Sequence, residues 1–295
     1  MQQAAEPVVF KGMTAAQLSA YYNPLAPIPD LPAYMQETVE LSKRAAAACP
    51  PVARDVAYGE TELEKLDIYA PKGAKSAPVL IDIHGGGFTM GSKNGRAIPA
   101  PAVTAAGVVW VPIDYGLAPS FKMDQMVGHV RKAVAWVHAN IAKYGGDPDR
   151  LFVSGNSAGG YMTAATLMPG WHGDYGIPAD AIKGAVPMSG LFDLEPIVLS
   201  SEGPNQALKM TMEDAKRLSP VRHVPKNGCP IIVTYGAPEV ESFIEQSEDF
   251  AKAWAAAGAP VETIVVPGAH HQAMGRELAD PDGTLFKAVM KLIGV

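Results

Sequence analysis

One ten-residue stretch, LFVSGNSAGG at 151–160, constrains the fold more than any other part of this sequence. It passes from an apolar run into a serine framed by glycines and then into small residues that suit a helix. Gly155 to Gly159 fits the pattern G-x-S-x-G, in which small residues let a strand and a helix pass closely around a strained serine. The stretch therefore predicts a strand, a sharp turn and a helix, with the Ser157 hydroxyl projecting above a sheet.

Short apolar runs separated by helical stretches surround this serine along the chain. The runs are at 78–83, 108–113, 151–153, 185–188, 231–235 and 261–266, and the helical stretches are at 97–106, 123–144, 157–168, 241–257 and 284–293. Runs that are apolar on both faces are typical of a parallel sheet covered by helices on each side. Residues 52–58 and 63–69 predict a leading antiparallel pair of strands. We therefore predict an α/β fold with a mostly parallel central sheet and helices on both faces.

The serine needs partners before it can react. A serine hydroxyl is a poor nucleophile near neutral pH unless a histidine takes its proton and a carboxylate orients that histidine. Glu239 comes directly after the strand at 231–235, at the sheet edge that also carries Ser157. Glu241 and Glu245 lie in the first turn of the next helix, where the helix dipole already favours a carboxylate. We therefore select Glu239 as the acid.

Two adjacent histidines follow the strand at 261–266. His270 and His271 both leave the same edge of the sheet, and the residues alone leave both open as the base. The remaining histidines are isolated in the sequence, so we interpret them as structural or surface residues: His129, His138, His172 and His223.

A glycine run supplies the second requirement, a place for the negative charge that develops on oxygen. The sequence HGGGF at 84–88 follows a predicted strand directly. Glycines let the main chain approach a substrate and point N–H groups at the charge. We predict that the N–H groups of Gly85, Gly86 and Ala158 form this oxyanion hole. We interpret His84 as structural, holding the loop by hydrogen bonds.

Residues 1–50 differ from the rest of the chain. Helical patterns at 14–22 and 31–48 are separated by the proline-rich stretch 23–30, and about fifty such residues would bury little core alone. We predict a helical flap or lid over 1–50 and a catalytic domain over 51–295. For substrate binding we select Tyr22 of this flap; Phe88 after the glycine run and Asn156 before the serine complete the set.

Composition excludes several classes of function. A net charge of -6 without clustered basic residues argues against a nucleic-acid partner, and no apolar stretch approaches membrane-spanning length. Cys49 and Cys229 form no disulfide framework, so a reducing cytoplasm is expected. Residues 1–10 have no basic start followed by an apolar core, so we expect no signal peptide. Asp147 and Asp149 are grouped with no histidine and predict a turn rather than a metal site.

The order of HGGG, G-x-S-x-G, acid and histidine resembles α/β-hydrolases of the esterase and lipase group related to hormone-sensitive lipase. Further stretches resemble kynurenine formamidases (arylformamidases) and their bacterial relatives over nearly the whole chain: YNP at 22–24, SGLFDLEP at 189–196, LSP at 218–220 and FIEQSEDF at 243–250. In that family the acid lies in a G-x-x-[D/E] turn and the histidine lies four positions after the proline of a proline–glycine turn. The resemblance therefore implies Glu239 and His271.

The resemblance also has departures. Gly87 stands where animal formamidases carry the first of an aromatic pair, and Gln272 stands where phenylalanine is usual. We therefore expect a serine hydrolase that cleaves a small acyl ester or an aryl formamide, without metal or organic cofactor. The alternative is a catalytically silent relative that serves as a binding or regulatory module. We expect a small-molecule partner and leave a homodimer open.

Overall fold

A mostly parallel sheet lies at the centre of the computed structural model, which describes residues 6–295. The strands, in chain order, are β1 (Val8–Phe10), β2 (Met13–Thr14), β3 (Ala53–Ala57), β4 (Lys65–Ile68), β5 (Ala77–Ile83), β6 (Val109–Ile113), β7 (Gly146–Asn156), β8 (Ile182–Met188), β9 (Ile231–Gly236) and β10 (Val261–Val266). Strands β1 and β2 form a separate hairpin, and the other eight lie in the order β10-β9-β8-β7-β5-β6-β4-β3. Only the pairs β3–β4 and β4–β6 are antiparallel in this sheet. The predicted α/β fold is confirmed.

Helices connect the strands and cover the sheet. They are α1 (Ala15–Tyr21), α2 (Leu31–Ala48), α3 (Ala100–Ala105), α4 (Met123–Asn140), α5 (Ala158–Leu167), α6 (Glu195–Leu199), α7 (Asn205–Leu208), α8 (Met212–Leu218), α9 (Glu241–Ala256) and α10 (Thr284–Ile293). The five predicted crossover helices correspond to α3, α4, α5, α9 and α10. The sequence did not predict the hairpin or the short helices α6 to α8.

Alternation along the strands divides the core into two layers. In β5, Val79 and Ile81 join the larger cluster, which includes residues of α4 and α5. Leu80 points the other way and packs with Trp110 and Phe152 in the cluster that includes α3 and α10. Successive strand residues face opposite sides of a sheet, and here both sides are buried. This burial holds the strand ends, and the loops that follow them, in fixed positions.

The segment around Asp147 and Asp149 corrects a prediction. It was expected as a turn, but the structure places it inside β7. The pairing of β5 with β7 passes from Ala77–Gly146 to Val79–Leu151, so residues 147–150 bulge out of the ladder. The Asp149 N–H donates to the Asp147 side chain at 3.0 Å, which is the local bond that an Asx turn makes. No cluster of three or more metal-ligating side chains occurs within residues 6–295.

A buried ion pair joins β5 to the 3₁₀ turn Lys93–Arg96, and a further hydrogen bond from its arginine reaches the segment that follows β10. The guanidinium of Arg96 donates from Nε and Nη2 to the Asp82 carboxylate at 2.5 and 2.9 Å, and Nη1 donates to the Gly275 carbonyl at 3.0 Å. The Ser154 hydroxyl donates to the same carboxylate at 3.0 Å. Such a pair is costly to break, because removing one partner leaves a buried charge uncompensated.

The amino-terminal segment divides into two parts. Helix α1 packs with α6, and its Leu18 is fully buried. Helix α2 packs instead against α3 and the 3₁₀ turn Lys93–Arg96, with a hydrogen bond from Ser42 to the Asn94 carbonyl. Residues 1–5, on which part of the expectation about a signal peptide rests, lie outside the described residues. No helix described from residue 6 onward is both long and apolar enough to cross a membrane.

Candidate active site

Ser157 lies at a strained turn between β7 and α5. Its backbone has φ 61° and ψ -120°, a region that non-glycine residues rarely adopt and that costs roughly 1–3 kcal/mol. A Cβ at Gly155 would lie 2.4 Å from the Gly159 carbonyl oxygen, and one at Gly159 would lie 2.0 Å from the Ile83 carbonyl oxygen. The glycine spacing in the sequence therefore reflects a close approach of helix and strands at this turn.

His271 and Glu239 form a buried pair beside this turn. The distance from Nδ1 of His271 to Oε2 of Glu239 is 2.6 Å, and both side chains are almost fully buried. A carboxylate only accepts, so Nδ1 carries the hydrogen and Nε2 is left as the unprotonated nitrogen of the neutral ring. Nε2 has no hydrogen-bond partner among the residues described. The ring of Phe243 packs edge-on against the imidazole at 4.7 Å between centroids.

The other oxygen of Glu239 has two donors of its own. Oε1 accepts from the Gly236 N–H at 2.8 Å and from the Ser189 hydroxyl at 2.5 Å. Of the neighbouring acids, Glu241 begins α9, and Glu245 pairs with Lys11 at 2.9 Å. The structure thus brings Glu239, and not these two, to the histidine.

His270 points away from the acid. Its ring packs edge-on against Tyr34 at 4.6 Å between centroids, and its Nδ1 accepts the Ala273 N–H at 3.3 Å. Burial lowers the pKa of His270, and the nearby charge of Arg276 lowers it further. The geometry therefore separates the two adjacent histidines, which the residues alone did not.

The glycine run lies beside the serine. Gly86 and Gly87 have φ of 120° and 58°, and both line the cavity that contains Ser157 and Ala158. Within residues 6–295 the N–H groups of the two glycines donate no hydrogen bond. Gly85 lies directly against the turn, because a Cβ there would be 2.7 Å from the Asn156 carbonyl oxygen.

His84 fixes the start of this loop. Its Nδ1 lies 2.7 Å from the Gly85 carbonyl oxygen, and its ring stacks on Tyr115 at 4.5 Å between centroids. Burial lowers the pKa of His84. A carbonyl oxygen only accepts, so Nδ1 donates this hydrogen bond. Asp114 accepts the Lys93 N–H at 2.6 Å, and its Oδ1 lies 3.8 Å from Nε2 of His84.

The cavity has a volume of about 690 Å³, and its wall includes Ser157 and His271. Of the three residues selected for substrate binding, Tyr22 and Phe88 border the cavity, but the Phe88 ring is fully buried and packs edge-on against Tyr161. Asn156 does not border the cavity, because its side chain is buried and donates to the His271 carbonyl at 3.3 Å. The structure thus brings two of the three to the cavity and places the third below it.

The opposite wall consists of α1, residues 22–25 and residues 197–204, which we call the cap. Ser19 of α1 lies 3.1 Å from the Ser201 hydroxyl and accepts the Glu202 N–H at 3.0 Å. The Tyr22 hydroxyl accepts from Nε2 of Gln246 at 3.2 Å, and burial raises the pKa of Tyr22 to about 12. Half of the predicted flap therefore borders the cavity, while α2 lies elsewhere.

Ser189 and Gln246 contact the site, and the sequence reasoning gave neither a role. No glycine-framed turn surrounds Ser189, yet its hydroxyl donates to the Glu239 carboxylate at 2.5 Å. The available signal was its place directly after β8, at the edge where β7, β9 and β10 also deliver their residues.

Known proteins share sequence with this chain over most of its length. Residues 80–275 match the family described as alpha/beta hydrolase fold. Kynurenine formamidase of Danio rerio is 36% identical over 246 residues, which are 81% of this chain and 81% of that protein. Esterase LipQ of Mycobacterium tuberculosis is 30% identical over 242 residues, which are 74% of this chain and 56% of that protein.

Solved structures share the fold at lower identity. A thioesterase candidate from Silicibacter sp. TM1040 has a TM-score of 0.80 at 23% identity and covers 95% of this chain and 100% of its own. An esterase from Pyrobaculum calidifontis has a TM-score of 0.69 at 20% identity and covers 90% of this chain and 92% of its own. The chain therefore belongs to the α/β-hydrolase family, as its motifs predicted, and kynurenine formamidases and esterases are among its relatives.

Proposed function

We propose that the protein is a serine hydrolase that cleaves a small acyl ester or an aryl formamide through an acyl-enzyme. The buried pair of His271 and Glu239, on the cavity that also contains Ser157, carries this proposal. Binding of Nδ1 by a carboxylate leaves Nε2 as the base that a serine hydroxyl needs. The relatives named formamidase and esterase both fit, because both names describe transfer of an acyl group to water.

The acylation step uses three side chains. The Ser157 oxygen attacks the substrate carbonyl carbon while Nε2 of His271 takes the hydroxyl proton. Glu239 holds the ring in the required tautomer and stabilises the imidazolium that forms. Collapse of the tetrahedral intermediate breaks the bond to the leaving group, which receives the proton from His271 and departs as an alcohol or an aryl amine.

Backbone donors meet the charge that develops on the carbonyl oxygen. We assign this role to the N–H groups of Gly85, Gly86 and Ala158, the last of which begins α5. The first N–H groups of a helix lack partners within the helix, and the helix dipole adds positive potential there. Removing one such donor typically costs about 10²–10³ in kcat.

Deacylation repeats the chemistry with water. Nε2 of His271 takes a proton from water, whose oxygen attacks the acyl carbon, and the Ser157 oxygen leaves with that proton. A formyl group would be released as formate and an acetyl group as acetate. The two substrate classes therefore use the same residues and differ in the acyl and leaving-group pockets alone.

We assign the leaving-group pocket to the cap. Tyr22 and Leu25 of the cap line the cavity, and Phe243 of α9 adds a second aromatic residue beside them. Within this proposal residues 1–50 form the flap and residues 51–295 the catalytic domain. The contacts of α1 with the cavity support the flap assignment, although α2 packs away from it.

The remaining parts of the proposal concern the partners and the location of the protein. We propose a small-molecule substrate, no nucleic-acid partner and a cytoplasmic location. The net charge of -6 and the two free cysteines support these assignments.

A covalent label and a substrate panel test the proposal together. A fluorophosphonate should modify Ser157, as located by mass spectrometry, and Ser157→Ala should lower kcat on p-nitrophenyl acetate by on the order of a million-fold. Ser154→Ala is the matched control, since it removes a buried hydroxyl three residues earlier that binds Asp82. Comparison of p-nitrophenyl acetate with N-formylkynurenine then separates ester from formamide cleavage. A wild-type protein that neither takes the label nor turns over any substrate would instead support the silent binding module.

A further inference from the structure

Ser189 has an unusual combination of backbone and side-chain geometry. It follows β8 directly, is fully buried and has φ of 47°, in the left-handed region that serine rarely adopts. Its N–H donates to the Thr234 carbonyl at 2.8 Å, which holds the backbone in place. Its hydroxyl lies 2.5 Å from Oε1 of Glu239. The strained conformation thus delivers a hydroxyl to the carboxylate that binds His271.

We propose that Ser189 is a positioning residue of the triad, which acts on the histidine through the acid. The inference rests on the proposed serine-hydrolase function. Glu239 has one more methylene and one more torsion than an aspartate, so its carboxylate needs more fixing to present one oxygen to His271. The Gly236 N–H and the Ser189 hydroxyl both bind Oε1, which leaves Oε2 for the imidazole.

The hydroxyl also influences the charge of the pair. A carboxylate can only accept, so Ser189 is the donor, and a donated hydrogen bond draws negative charge toward Oε1. No water competes for this bond, because both side chains are buried. Loss of the hydroxyl would leave Oε1 with one donor and free the carboxylate to rotate away from Nδ1.

Two substitutions separate the hydroxyl from the backbone strain. Ser189→Ala removes the hydroxyl and keeps a Cβ at positive φ, whereas Ser189→Gly removes the hydroxyl and suits that φ. If the hydroxyl positions the triad, both variants lose kcat on p-nitrophenyl acetate by roughly tenfold, which corresponds to about 1.4 kcal/mol of activation free energy, and KM stays within about twofold. If the serine only fills space in the fold, the two variants differ in thermal stability and neither loses kcat.

A double-mutant cycle gives the decisive measurement. In a Glu239→Ala background the hydroxyl has no carboxylate to hold, so Ser189→Gly should have no further effect on kcat. Equal losses in both backgrounds would overturn the proposal, as would a kcat for Ser189→Gly that matches the wild type.

Ser154→Ala serves again as the control. It removes another buried serine that donates to a carboxylate, and we expect its kcat to stay within about twofold of the wild type. Failure of the proposed function is distinguishable, because it would show as full activity of Ser157→Ala, whatever the result at Ser189.

Discussion

The two sides of the cavity are built in different ways. On the sheet side, Glu239 and His271 are buried, and their hydrogen bonds come from backbone and side chains at strand ends. On the cap side, Ser201 and Glu202 are exposed, and the bonds that tie them to Ser19 lie within reach of solvent. Hydrogen bonds to buried charged groups contribute about 1.5–3 kcal/mol, and exposed polar contacts contribute less.

Within the proposed function, this difference separates the residues that carry out the reaction from those that select the substrate. The sheet side is held by strands that are buried on both faces, so its geometry follows from the fold of the whole domain. The cap comes from the amino-terminal segment and from the connection between β8 and β9, both outside the strand ladder. Changes in the cap should therefore alter which substrates bind, and changes on the sheet side should alter the rate for all of them.

The largest effect is expected at the two adjacent histidines on the sheet side. His271→Ala removes the proposed base and should lower kcat by on the order of a million-fold for every substrate. His270→Ala removes a ring that packs on Tyr34 away from the acid, so kcat should fall by less than about tenfold. Steady-state kinetics on p-nitrophenyl acetate measures both. Equal and mild losses would contradict the assignment of His271 as the base.

A smaller, substrate-dependent effect is expected in the cap. Tyr22→Ala removes an aromatic wall of the cavity and should raise KM for a bulky aryl substrate by about 5- to 30-fold, since contacts made equally in ground and transition states act through KM. KM for a small acetate ester should change by less than about threefold, and so should kcat for both substrates.

Tyr21→Ala is the matched control for this change. Its ring touches Tyr22 at 5.7 Å between centroids but does not line the cavity, and the hydrogen bond from Ser242 goes to its backbone carbonyl. A variant at Tyr21 with the same rise in KM, or one at Tyr22 with equal effects on both substrates, would show that the cap does not select the leaving group.

The same division explains what the sequence could predict. The strand runs, the glycine-framed Ser157 and the position of Glu239 all follow from local patterns that the sheet requires. The choice of His271 over its neighbour needed the family resemblance, because both histidines lie in the loop after β10 and the sequence does not say how that loop turns each side chain.

Other residues gave no readable signal. Ser189 binds an acid that lies fifty residues further along the chain, and its backbone has a positive φ. The local sequence Ser-Gly-Leu predicts neither the long-range contact nor the backbone conformation. Asn156 adjoins Ser157, yet its buried side chain donates to the His271 carbonyl, because side-chain direction at a strained turn depends on tertiary packing.

The smallest expected effect is on the pH dependence of stability, and it arises on the sheet side of the cavity. None of the seven histidines lies in the cap, whereas His84 lies buried at the start of the glycine loop on the sheet side. Burial lowers the pKa of His84 below its ordinary value of 6.5, so below about pH 6.5 the unfolded chain binds a proton that the folded chain does not. The free energy of unfolding should therefore fall with decreasing pH in that window and stay level above it, by at most about 1.4 kcal/mol per pH unit for this histidine.

Urea unfolding of the wild type and of His84→Gln at intervals from pH 5 to 8 measures the contribution of His84 to this pH dependence. Glutamine does not titrate, so the variant should lose stability less steeply below pH 6.5, while above pH 7 the two proteins should differ by a constant amount. His129 is half-buried and its pKa is lowered in the same way, so part of the slope should remain in the variant. Parallel curves over the whole range would mean that His84 takes up its proton equally well in the folded protein.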